Sequence, residues 1–97
     1  MDTLIRLLAG PWTLYILWVL QENGDLRFLS LKEKVSGISA KVLTERLRML
    51  AEEGLVERST EASAPPQVSY RLSERGRQLR SVLEPLNQIA GEWYGPQ

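Results

Sequence analysis

The sequence predicts a small, mostly helical α+β domain in which two short helices joined by a glycine-containing turn precede a two-stranded ribbon. Three observations carry that expectation. Apolar residues recur every three or four positions through both ends of the chain. Ser36-Gly37-Ile38-Ser39 interrupts that period between two amphipathic stretches, and after Gly54 the pattern becomes that of strands. Ninety-seven residues is the size of one domain, spanning 1–97.

Leu4, Ile5, Leu7 and Leu8 suit a short amphipathic helix over 1–9, which Gly10-Pro11 ends. Pro11 fits the first turn of the next helix, about 12–22, which is apolar nearly all round and so expected to be buried on most sides. Asn23-Gly24 stops it, and Arg27-Phe28 is expected as a very short strand. Ser30-Leu31-Lys32-Glu33 fits a capping box, opening a helix to about Ser36. Ser39 is placed to cap a fourth helix running to Glu53, which Gly54 terminates. Together 30–53 has the spacing of a helix-turn-helix. Residues 55–60 and 68–72 read as strands around a loop at 61–67 that holds Pro65-Pro66, so 55–72 has the layout of a wing. Ser73 is expected to cap a final helix over 73–94, with Pro85 kinking or splitting it. The expected fold is therefore a winged helix-turn-helix whose extra terminal helices, 1–22 and 73–94, serve the core and dimerisation.

Composition removes several kinds of chemistry. No cysteine is present, which excludes disulfides, thiolate nucleophiles and sulfenic-acid sensing. No histidine is present either, so the commonest general base and metal ligand is missing. An enzyme is disfavoured, and neither a metal site nor a cofactor is expected. The longest apolar run, 14–20, is far short of the ~20 residues that span a bilayer. Asp2 and Arg6 sit where a signal peptide would need an unbroken apolar core, so no membrane association and a cytoplasmic location are expected.

The formal net charge is zero, yet the charges are unevenly spread. From Arg27 to Arg48 six basic residues face two acidic ones, a balance of +4, and the remainder carries −4. Distribution, rather than the sum, decides whether a chain attracts a polyanion. With 3.6 residues per turn, Leu43, Leu47 and Leu50 of the fourth helix share a core-facing side. Lys41, Thr44, Glu45, Arg48 and Glu52 share the other. A face with a serine cap, a lysine, a threonine and an arginine suits the major groove of double-stranded DNA, where cations reach phosphates and guanine edges. Charges alone fit a solvated face better, with Lys41 and Glu45 paired at i, i+4, and it is the helix-turn-helix spacing and the wing that shift the balance. The candidate DNA-binding residues are Ser39, Lys41, Thr44, Glu45 and Arg48, with Arg58 and Arg71 flanking the wing. Trp12, Tyr15, Trp18, Trp93 and Tyr94 are expected in the core. So much apolar surface exceeds what so short a chain hides alone, and Leu4, Leu8, Leu79, Leu83, Leu86, Ile89 and Trp93 are expected at a homodimer interface. A winged helix that has lost DNA binding and serves as a protein-interaction module is the alternative, motivated by the neutral charge and a wing tip without a cation.

The chain resembles the HxlR family of MarR-like winged-helix transcriptional regulators. The resemblance rests on Gly10-Pro11-Trp12-Thr13-Leu14-Tyr15-Ile16-Leu17, Arg27-Phe28-x-x-Leu31 and Gly37-Ile38-Ser39-x-Lys41-Val42-Leu43-Thr44-x-x-Leu47-Arg48-x-Leu50. It continues through Gly54-Leu55-Val56-Glu57-Arg58, Pro65-Pro66-Gln67-Val68-x-Tyr70-x-Leu72 and Ser73-Glu74-x-Gly76. It implies a homodimer paired through the terminal helices, with the fourth helix of each subunit in successive major grooves, acting as repressor or activator at a promoter. Many members carry an N-terminal sensing cysteine, which is missing here. Pro11 and Gln67 stand where the family often has basic residues. No small-molecule effector is legible.

Overall fold

The computed structural model describes residues 1–95, so the last two positions of the expected domain lie outside the described residues. Helix α1 (Asp2–Leu8) buries no residue, and its exposed Arg6–Asp2 pair at 2.9 Å contributes little. Helix α2 (Thr13–Asn23) follows at 81° and buries Thr13, Ile16, Leu17, Val19 and Leu20. Pro11 lies ahead of the helix rather than in its first turn. The cap is Trp12, held in the left-handed region at φ 67°, a conformation rare for a bulky residue. No single helix among the described residues is long and apolar enough to cross a membrane.

Strand β1 (Leu26–Arg27) leads directly into α3 (Phe28–Lys34). Ser30 is therefore inside the helix, and the expected capping box does not form. Pairing of Leu26 and Arg27 with the wing fixes the backbone up to Arg27, and Phe28, packed against the core, starts the helix two residues before Ser30. The turn between α3 and α4 (Ala40–Glu52) is closed by the Ile38 N–H donating to the Val35 carbonyl at 3.2 Å, with Gly37 at φ 91°. A side chain at that φ would be strained, which is why the turn uses glycine. Ser39 caps α4 as expected, its Oγ accepting the Val42 N–H at 3.1 Å.

Strands β2 (Val56–Glu61) and β3 (Gln67–Leu72) form the wing, antiparallel from Val56↔Leu72 to Glu61↔Gln67. The sheet order is β1-β3-β2, so β3 is central. Ser73 caps α5 (Glu74–Arg77), accepting the Gly76 N–H at 2.9 Å while donating to the Gly54 carbonyl at 2.6 Å. This one hydroxyl ties the end of α4 to the exit from the wing. Helix α6 (Arg80–Tyr94) then runs unbroken through Pro85. The expected split falls instead at Gln78-Leu79. Pro85 is exposed, and the Ser81 carbonyl it leaves without an intrahelical donor belongs to an exposed residue that water can reach.

The core joins Ile16, Leu17 and Leu20 to Leu31, Leu43, Leu47 and Leu50, with the roots of the wing beneath them. Leu79 and Leu83 are only 8% and 3% exposed and belong to this core, not to a surface that a partner could cover. The opposite correction applies to the core expectation for Trp93 and Tyr94, which are 72% and 71% exposed, and for Trp93 leaves the surface position that the interface expectation requires. Tyr15 is also exposed, while Trp12 and Trp18 pack half-buried against the core.

Candidate nucleic-acid interface

Helix α4 presents its faces as its periodicity requires. Leu43, Leu47 and Leu50 are buried, whereas Ser39, Lys41, Thr44, Glu45, Arg48 and Glu52 are exposed. The expected Lys41–Glu45 pair does not form, and among the described residues neither Lys41 nor Arg48 makes an ion pair. Both cations are free to meet phosphate. The Ser39 oxygen is taken by the Val42 N–H, leaving its own proton to donate outward. Thr44 is the reverse case: its Oγ1 donates to the Ala40 carbonyl at 2.8 Å, so it faces outward as an acceptor. Arg46, counted in the basic segment, is half-buried and its Nη1 lies near Gly10, off the exposed face.

The two wing arginines differ. Arg58 on β2 is exposed and makes no ion pair among the described residues. Arg71 on β3 is held by Glu57 across the strands at 3.3 Å and by Asp25 at 3.7 Å. Its charge is already answered. The wing tip, 62–66, carries no cation, and Ser63 Oγ donates to the Pro65 carbonyl at 2.7 Å.

Sequence reasoning missed the clamp on the turn before α4. Tyr15 Oη accepts the Ser36 N–H at 3.4 Å, and the Trp12 ring stacks on Tyr15 at 6.4 Å with its edge 3.6 Å from where a Cβ on Gly37 would stand. The left-handed backbone at Trp12 aims the ring there, and no local pattern in Pro11-Trp12-Thr13 signals that conformation. No group of three or more acidic side chains among the described residues is placed to hold a metal ion.

A winged helix with this order of elements is matched by the model of the HxlR-like helix-turn-helix family over residues 7–97. The chain belongs to the HxlR family. The HTH-type transcriptional regulator YodB of Bacillus subtilis is 33% identical over 96 residues, covering 99% of this chain and 85% of YodB. The structure of YodB in its reduced form superposes with a TM-score of 0.84, over 100% of this chain and 94% of that one. YtcD of the same bacterium, a transcriptional regulator 35% identical over 85 residues (88% of this chain, 67% of YtcD), has a structure that superposes at 0.87 and 32% identity, over 98% and 96% of the two chains. This HxlR-family chain is accordingly a DNA-binding transcriptional regulator with a winged-helix fold.

Proposed function

We propose that the chain binds a promoter operator as a homodimer, placing α4 of each subunit in successive major grooves. The observation that carries this reading is the exposed face of α4, where Lys41 and Arg48 stand without ion-pair partners beside a capped helix N-terminus. Unpaired backbone N–H groups and the helix dipole at that terminus favour a phosphate, and Ser39 adds a donor. Lys41 and Arg48 supply phosphate or guanine contacts, Thr44 accepts, and Glu45 accepts from cytosine. Arg58 meets the DNA backbone from the wing. Arg71 contributes little, because binding DNA would require it to leave two carboxylates.

Dimerisation rests on surface left uncovered in the single chain. Leu4 and Ile5 on α1 and Val82, Leu86, Ile89 and Trp93 on α6 are exposed, and Leu8 is half-covered. Patches of this kind on a small domain mark association surfaces. Two-fold symmetry then sets half-sites about 34 Å apart. A regulator acting on chromosomal promoters works in the cytoplasm.

A fluorescence anisotropy titration of operator duplex against added salt tests the reading. If Lys41 and Arg48 both meet phosphates, each alanine variant flattens the slope of log K against log salt by about 0.9. Slope and affinity that both match wild type in both variants would remove α4 from the interface.

A further inference from the structure

We propose that a second site, on the far side of the wing's base, binds a small polyanion bearing carboxylate or phosphate groups. A cavity of about 390 Å³ lies where the ends of α2, β3 and α5 meet the start of α6. Arg71, Arg77 and Arg80 line it together with Asp25, and because Arg71 pairs with Asp25 and Glu57 and Arg80 pairs with Glu84, Arg77 is the lining cation left without a carboxylate among the described residues. The three cations come from one stretch of chain, 71–80, folded against the end of α2. An occupant with negative charge is the one this lining fits.

The arginines are not equivalent. Arg77 Nη1 donates to the Leu72 carbonyl at 3.0 Å, which pins the guanidinium on the wall, and no carboxylate pairs with it among the described residues. Its remaining donors form a fixed fork of the kind that takes carboxylate or phosphate oxygens two at a time. Arg80 is engaged through Nε with Glu84 at 2.9 Å, leaving its terminal nitrogens available. Arg71 shares its charge with Asp25 and Glu57. Arg77 is the anchor and Arg80 the second contact, while Arg71, already held by two carboxylates, adds little.

None of the lining residues belongs to α4, so the site is separate from the α4 surface.

Isothermal titration of the full chain with inorganic phosphate and with citrate, at ionic strength held constant with chloride, tests the site. Saturable binding of either anion is expected, weakened at least about tenfold by Arg77→Gln and by Arg80→Gln, and unaltered by Arg75→Gln, whose side chain lies outside the cavity. The anion that saturates names the headgroup. Two variants guard against one failing to fold. Titrations that never saturate with either anion, or binding equal to wild type in every folded cavity variant, would overturn the proposal.

Discussion

Ser39, Gly76 and Gly91 show how differently single residues act within one small fold. Ser39 closes the first turn of α4 through one hydrogen bond, and Ser39→Ala should lower stability by about 1 kcal/mol in thermal unfolding. Gly76 is buried so close to the Leu55 carbonyl that an added Cβ would overlap the oxygen. The backbone on both sides is held, by Ser73 N–H to Leu55 O and by Ser73 Oγ to Gly54 O, so it has no room to yield. Gly76→Ala should therefore destabilise by about 1–3 kcal/mol or more. Gly91 lies in α6 with nothing near its missing Cβ, and Gly91→Ala should stabilise by about 0.5–1 kcal/mol. The Ser39 cap was legible in the sequence because it depends on neighbours three residues away. The crowding at Gly76 was not, because Leu55 reaches it only through the return of the wing. Trp12 hid for a related reason: its left-handed backbone turns the ring toward a turn twenty-five residues on, and no local pattern announces it.

At the scale of elements, local periodicity served well and long-range pairing did not. The faces of α4 follow from leucines spaced by one turn. The start of α3 was misplaced because β1 pairs with β3, more than forty residues away, and that pairing overrides a good capping sequence. In α6 the leucines and isoleucine share one period from Leu79 to Ile89, and nothing local distinguishes Leu83 in the core from Leu86 outside it. The depth at which α6 leaves the subunit makes that distinction. The wing carries its own prediction. Its tip bears no cation, so shortening 62–66 to a two-residue turn should change operator affinity by less than about threefold, since a loop that neutralises no phosphate releases no counterions. A larger loss in an anisotropy titration would place the tip on the DNA.

The whole molecule is 46 Å in its longest dimension, and α6 leaves large apolar side chains uncovered along much of its length. Mean composition hid both that stripe and the basic segment, because each is balanced elsewhere in the chain. If the stripe joins two subunits, Leu86→Asp should yield a monomer in sedimentation equilibrium and also lose operator affinity, since each half-site alone binds weakly. A dimer that persists in that variant would move the interface elsewhere. The central claim, that α4 reads DNA, is tested most directly by titrating an operator selected from random duplexes with wild type and with the Lys41→Ala/Arg48→Ala double variant. At about 1–3 kcal/mol for each specific contact, the double variant should bind at least about thirtyfold more weakly while remaining folded and dimeric. Wild-type affinity in a folded, dimeric double variant would contradict it.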